Sequence, residues 1–267
     1  MKKVGFIMVF NEVNWISYAV DQAVKICDEV IICEGSQFTS FSDIPERSDD
    51  GTLDIIEDKK KEYYPIITHV NTIREKNNYR SNQCANFNLA LDMCDIGDYF
   101  VVLDVDVFYR DAFLEELNDI MKENKVDIVK VQGYLYGFSF KWRLHYEKSS
   151  IWAHDALYKK VNGFRFVPTH KPHGVGKNKI INTDENIFHY TWLKPKERMR
   201  IRMKTSGFYP GMLEWFDRNW DKIELVENKP QTAHNKGSFL LERYEGPHPS
   251  VLDDHPWRYI EDVRCVV

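Results

Sequence analysis

The stretch Phe100-Val101-Val102-Leu103-Asp104-Val105-Asp106-Val107 decides how this chain reads. Four apolar positions lead into two carboxylates with one residue between them. An apolar run this short, bounded by polar sequence, is the signature of a buried strand, predicted here over Tyr99 to Val107. Residues two apart on a strand share a face, so Asp104 and Asp106 are expected to point the same way. Two adjacent negative charges at the end of a buried strand cost several kcal/mol unless donors or a cation compensate. A divalent ion carrying a diphosphate supplies that compensation, because Mg²⁺ and Mn²⁺ take oxygen ligands and are held by one or two carboxylates plus phosphate and water. The bland counterpart is a strand whose end simply runs into solvent.

Working outward, strand and helix signals alternate. Val4–Phe10 is a first apolar run, followed by Ile16, Ala19, Val20, Ala23, Val24 and Cys27 at helical spacing. Val30–Cys33 is a second strand, ending at Glu34-Gly35-Ser36. Gln37–Asp49 reads as a loop, and Ser48-Asp49-Asp50-Gly51-Thr52 opens a helix carrying Leu53, Ile56 and Lys60. Ile66–Val70 is a third strand. Cys84, Phe87, Leu91 and Cys94 mark one face of a helix over Ser81–Cys94. Beyond the Asp104 strand come a helix over Ala112–Asn124 and a strand over Asp127–Val131. This alternation predicts an α/β fold with a mainly parallel sheet flanked by helices. Such sheets bind ligands beyond the carboxyl ends of their strands. After Gln132 the pattern turns irregular and aromatic, and beyond Leu193 a basic stripe (Lys194, Lys196, Arg198, Arg200, Arg202, Lys204) gives way to aromatics.

Composition bounds the alternatives. The chain has 267 residues, 43% of them hydrophobic, which suffices for a substantial core and excludes disorder. A net charge of −5 argues against a general nucleic-acid binder. Five cysteines without a CxxC pair support neither a disulfide framework nor a zinc site, and four of them sit in apolar surroundings as small core residues. The N-terminal apolar run is too short for a signal peptide, and no stretch approaches the ~20 apolar residues of a membrane span, so a cytoplasmic protein is expected.

Other polar residues follow strands or sit in apolar settings. Glu34 could bind a ribose hydroxyl or a base edge; otherwise it is a turn carboxylate. Asn11 could serve the same pocket or cap the next helix. Arg80 could pair with phosphate. In Ile187-Phe188-His189-Tyr190-Thr191-Trp192-Leu193-Lys194-Pro195, His189 could add a third protein ligand to a metal held by the two Asp, and Lys194 could neutralise a phosphate. The plainer readings are a core histidine and a solvated surface lysine.

Val9-Phe10-Asn11-Glu12, Val30-Ile31-Ile32-Cys33-Glu34-Gly35-Ser36, Ser48-Asp49-Asp50-Gly51-Thr52-Leu53 and Leu103-Asp104-Val105-Asp106 occur in that order. Together they resemble the GT-A glycosyltransferases, above all the inverting family 2 type, over roughly residues 1–195. The resemblance implies a Rossmann-like GT-A catalytic domain over 1–195, with 196–267 as a helical, aromatic-rich extension for acceptor binding or homo-oligomer formation. It implies that Asn11 and Glu34 line the nucleoside pocket and that Asp104 holds ribose or metal. Asp106 would ligate Mn²⁺ or Mg²⁺, His189 would join the metal, and Lys194 would lie near the diphosphate of a UDP- or GDP-linked sugar donor. The chain departs from the family pattern in four places. About a dozen residues separate Gly35 from Ser48, Val107 replaces a further acid, Arg80 lies further from Asp104 than the comparable Arg of the family often does, and no Glu-Asp pair follows Gly163-Phe164. The base that would deprotonate an acceptor hydroxyl is therefore sought among Asp155, His173 and Asp184. Two other readings compete. A sugar-nucleotide nucleotidyltransferase should carry a Gly-rich loop after the first strand, where this chain has Phe10-Asn11-Glu12-Val13. A catalytically silent glycan-binding protein would have no need of the two Asp.

Overall fold

The structure is a computed structural model. It describes residues 1–37, 43–74, 78–146, 152–168, 171–176, 179–205, 211–233 and 237–266; side chains 146, 152, 153, 171, 184–186 and 205 are outside the description. The chain begins β1 (Lys3–Val9), α1 (Ile16–Ile26), β2 (Glu29–Glu34), α2 (Thr52–Glu62), β3 (Ile67–Asn71) and α3 (Tyr79–Asp92). It continues β4 (Tyr99–Asp104), β5 (Val107–Tyr109), α4 (Asp111–Glu123), β6 (Ile128–Gly137), β7 (Trp142–Tyr146) and β8 (Trp152–Lys159). Then come β9 (Arg165–Val167), β10 (Lys171–His173), β11 (Ile180–Trp192), α5 (Lys196–Thr205), α6 (Met212–Asn219), β12 (Gln231–Thr232) and β13 (Ser238–Arg243). Two compact units result, one of Met1–Val131 with His154–Thr183, the other of Gln132–Ala153 with Asp184–Val267. These units do not follow a division at residue 195. Among the described residues, no helix is long and apolar enough to cross a membrane.

In the first unit β3, β2, β1 and β4 run parallel in that order, and β8 pairs with β4 antiparallel. β1, β2 and β4 are buried on both faces because helices cover both, which is why they read as continuous apolar runs rather than alternating ones. One face carries Val4, Phe6, Ile31, Cys33, Phe100 and Val102 against Cys84, Phe87, Ala90 and Leu91 of α3. At its centre Phe87 packs on Phe6 and Phe166 with ring centroids 4.9 and 4.7 Å apart. Fully burying each such side chain stabilises the fold by about 1.5–3 kcal/mol. Gly5 in β1 is required by close approach, since a Cβ there would lie 2.9 Å from Cys27 Sγ. Cys27, Cys33, Cys84 and Cys94 are buried free thiols and Cys265 is exposed, as their surroundings in the sequence suggested.

One expectation fails at the decisive stretch. The strand expected to continue to Val107 stops at Asp104; Val105 and Asp106 form a turn, and β5 follows. Strand alternation therefore does not relate the two carboxylates. The turn was hidden because Val105 and Asp106 are 8% and 4% exposed, as buried as strand residues.

The second unit contains the antiparallel order β6-β7-β13-β12, with Tyr136 opposite Arg143 and Leu241 opposite Leu144. The region read as irregular after Gln132 is thus regular sheet. Its strands alternate apolar with charged or aromatic residues, so that Trp142 and Leu144 enter the core while Arg143 and His145 occupy the other face. The core face packs on α5 and α6 through Met199, Met203, Trp215 and Phe216. Several residues of the basic stripe make side-chain contacts at the surface. Lys196 pairs with Asp221 at 2.5 Å, Arg200 with Asp217 at 3.0 Å, and Arg202 donates to Thr191 Oγ1 at 2.5 Å.

Candidate active site

Strand register sets the first unit's site. Val9 lies beside Glu34, Met8 beside Asp104, and Glu34 beside Asn71, so β1, β2, β3 and β4 end level. The chain passes β1, β2 and β3 in sequence and then crosses back, through α3, to place β4 on the far side of β1. That reversal opens a crevice at the carboxyl ends of β1 and β4, where open α/β sheets bind ligands. Asp104, half-buried, ends β4 there, and Asp106 occupies the turn just beyond. β5 is held from two sides. The fully buried amide of Gln22 on α1 donates to Val107 O at 3.3 Å and accepts from Tyr109 N at 2.6 Å. Tyr109 Oη donates to Val102 O of β4 at 3.2 Å. Burial, together with the charge of Asp104, raises the Tyr109 phenol far above its ordinary pKa, so it stays a donor.

Glu34 and Asn11 reach the same edge, but their polar groups are engaged within the protein. Glu34 is fully buried; its carboxylate accepts from Ser48 N at 2.7 Å and from Arg47 Nε. Gly35 makes that contact feasible: with φ +130° it turns the chain so that Ser36 N bonds Glu46 O at 2.9 Å. Asn11 adopts φ +52°, a left-handed conformation that Asn tolerates. Its side chain donates to Asp49 Oδ1 at 2.8 Å and accepts from Asp49 N at 2.9 Å, while its own N–H goes to Ser48 Oγ. Helix α1 starts at Ile16, so Asn11 is not its cap. Asp50 completes the knot, accepting from Val13 N and from Thr52 N and Oγ1.

Arg80 lies in the first turn of α3, the helix that enters from β3 at the same edge. Two buried asparagines of α3, not anticipated from the sequence, brace that edge. Asn82 donates to Gln37 O at 2.9 Å, and Asn86 accepts from Ile73 N at 2.6 Å and donates to Ile73 O at 3.1 Å. Their signal was present: two amides four residues apart amid the apolar positions Cys84, Phe87 and Leu91. Of the base candidates, Asp155 on β8 accepts from Tyr158 Oη at 2.8 Å and pairs with Lys130 at 3.4 Å. His173 is exposed on the β9–β10 hairpin. Asp184 is on β11, its side chain outside the description. His189 and Lys194 belong to the second unit, where both are buried. Lys194 is thus no solvated surface lysine.

The donor set suits a hard divalent cation: Asp104 and Asp106 offer carboxylate oxygens, and Mg²⁺ or Mn²⁺ commonly takes one or two of these and completes its shell with phosphate and water. Among the described residues, no group of three or more His, Cys, Asp or Glu is arranged to hold a metal through protein ligands alone.

Sheet order and the acidic edge define an α/β protein with a ligand crevice at its topological switch point. The sequence pattern of "Glycosyl transferase family 2" matches residues 46–188, and the chain belongs to that family. The expected GT-A type of α/β architecture accords with this membership. No curated protein matches the sequence significantly. Among solved structures it is similar to S. aureus TarS, at 13% identity and a TM-score of 0.45, covering 81% of this chain and 42% of that one. It is also similar to residues 1–349 of TarS, at 14% identity and TM-score 0.46, covering 81% and 69%. A third similar structure is glucosyl-3-phosphoglycerate synthase from Mycobacterium tuberculosis in complex with Mn²⁺, UDP and glucosyl-3-phosphoglycerate, at 11% identity and TM-score 0.41, covering 92% and 88%. These likenesses are distant; the family match carries the assignment.

Proposed function

We propose that this chain transfers a sugar from a UDP- or GDP-linked donor to an acceptor hydroxyl, with a divalent metal and with inversion at the anomeric carbon. The observation that carries the reading is the placement of Asp104 at the end of β4, level with Met8 of β1, with Asp106 in the next turn. In a family 2 member, that crevice is where a donor diphosphate would meet a carboxylate-held cation. Bound there by Asp104 and Asp106, Mn²⁺ or Mg²⁺ would supply charge stabilisation for the departing nucleoside diphosphate.

The protein's own groups do the rest. The Asn11–Ser48–Asp49 knot and the Glu34–Arg47 pair give the edge a fixed shape for the nucleoside, so Asn11 and Glu34 act by holding the 47–52 segment. Arg80, at a helix N-terminus, offers positive charge to phosphate. His189 as a further metal ligand and Lys194 as a cation for the diphosphate stay part of the proposal. The acceptor hydroxyl must lose its proton to a base within hydrogen-bond reach. Asp155 could serve by exchanging Tyr158 or Lys130 for that hydroxyl, with His173 and Asp184 as the other candidates. The extension after 195 is assigned to acceptor binding or self-association. The test is calorimetric titration of UDP and of GDP, with and without Mn²⁺, together with donor hydrolysis. Metal-dependent binding that Asp106→Ala abolishes in a folded protein supports the reading. Affinity unchanged in that variant would sink it.

A further inference from the structure

Gln22 lies on α1 and is one of the few fully buried uncharged polar side chains of the first unit. Its amide uses both ends on a single three-residue strand. Nε2 donates to Val107 O, the first residue of β5, and Oε1 accepts from Tyr109 N, the last. A buried amide satisfied this way gives the β5 backbone a pair of ladder-like hydrogen bonds to α1, and it fixes β5 against the helix. Tyr109 carries the restraint to β4, since its hydroxyl donates to Val102 O, two residues before Asp104. The Asp104–Asp106 turn is therefore spanned by a closed path: β4 up to Val102, Tyr109 Oη, the β5 backbone and the Gln22 amide. The turn itself is only Val105 and Asp106, so the placement of both carboxylates depends on where β5 is pinned.

We infer that Gln22 and Tyr109 are positioning residues that set the spacing of the Asp104 and Asp106 carboxylates for a divalent cation. This rests on the metal reading proposed above. Groups that orient metal ligands without touching the metal typically alter affinity 10- to 100-fold when removed. Gln22→Met keeps the side chain's length and loses both hydrogen bonds. Tyr109→Phe keeps the ring and loses only the donation to Val102 O.

The experiment measures UDP affinity by calorimetry at saturating Mn²⁺ and in EDTA, alongside thermal melting, for wild type, Gln22→Met, Tyr109→Phe and Asp106→Ala. Both positioning variants should weaken Mn²⁺-dependent UDP affinity by about 10-fold, with affinity in EDTA unchanged. A purely structural role would lower the melting temperature and leave Mn²⁺-dependent affinity at the wild-type value; that result overturns the inference. Should Gln22→Met fail to fold, Tyr109→Phe decides alone. Loss of Mn²⁺ dependence in Asp106→Ala with none in the other two refutes positioning and spares the metal reading. A wild type that binds UDP and GDP equally with and without Mn²⁺ refutes both.

Discussion

Replacing Glu34 with Gln separates a residue that touches the donor from one that builds the edge the donor meets. Its carboxylate is fully buried and accepts from Ser48 N–H and from Arg47 Nε. A hydrogen bond to a charged group contributes about 1.5–3 kcal/mol. The Arg47 side chain is 42% exposed, so solvent screens that pair and about 1 kcal/mol is a fair share for it. In Glu34→Gln the amide oxygen retains the Ser48 bond, while the NH₂ faces a guanidinium that is also only a donor. The expected loss is about 1–2 kcal/mol, and about 3 kcal/mol for Glu34→Ala, which also strands the Ser48 N–H. For a chain of this size each kcal/mol lowers Tm by about 2–4 °C. Urea unfolding of Glu34→Gln, Arg47→Met and the double variant forms a cycle whose coupling should match the ion pair's share. Nucleotide affinity, measured in parallel, should fall modestly and equally in Glu34→Gln and Arg47→Met, because both loosen the same segment. If Glu34→Gln leaves stability untouched and removes UDP binding tenfold or more while Arg47→Met does not, Glu34 reads the ligand directly and the strut account fails.

Three further outcomes are expected. Asp106→Ala should keep the wild-type circular dichroism spectrum and lose Mn²⁺-dependent UDP binding by calorimetry. His189→Ala should reduce the Mn²⁺ dependence of donor hydrolysis with little change in melting temperature; a large destabilisation with unchanged metal dependence would make it a core histidine. His248 is buried beside Tyr190, whose Oη lies 2.6 Å from Nδ1, and burial, helped by the charge of Arg258, lowers its pKa to about 3. Below pH about 6.5 the unfolded chain takes up a proton that the folded one refuses, so stability should fall by about 1.4 kcal/mol per pH unit from there towards pH 3. Urea unfolding at pH 6.5 and 5 should show that loss in wild type and lack it in His248→Phe.

The parallel half was legible because its strands are buried on both faces. Val4–Val9, Val30–Cys33 and Tyr99–Leu103 are apolar at nearly every position, and each is followed at once by polar residues at the carboxyl edge. The sequence could place Glu34 and Asp104 at one edge because parallel strands joined by helices leave little choice. The antiparallel strands after Gln132 were harder to see. Each has one core face and one face of arginine, histidine and tyrosine, and Arg143 stacks 4.2 Å from the centroid of Tyr134. In a sequence such alternation over five residues, in an aromatic-rich stretch, looks like the absence of pattern.

The misread details share a different cause: what a polar residue does depends on which backbone atom lies opposite it, and spacing along the chain does not say. Glu34 follows an apolar strand, as a ligand-binding acid would, yet Gly35 folds the chain back so that Ser48 and Arg47 claim it. The long segment from Gly35 to Ser48 gave no hint that its far end returns to within hydrogen-bond reach of its start. Lys196 and Arg200 of α5 pair with Asp221 and Asp217, partners that the basic stripe alone does not announce. Asp106 looked like the next residue of a strand, yet it lies in a turn before β5, whose backbone bonds Gln22, 84 residues before Asp106. In each case the partner lies well beyond one helical or strand repeat, a contact that periodicity cannot register. Asp104 ends β4, while Asp106 sits in the turn that follows.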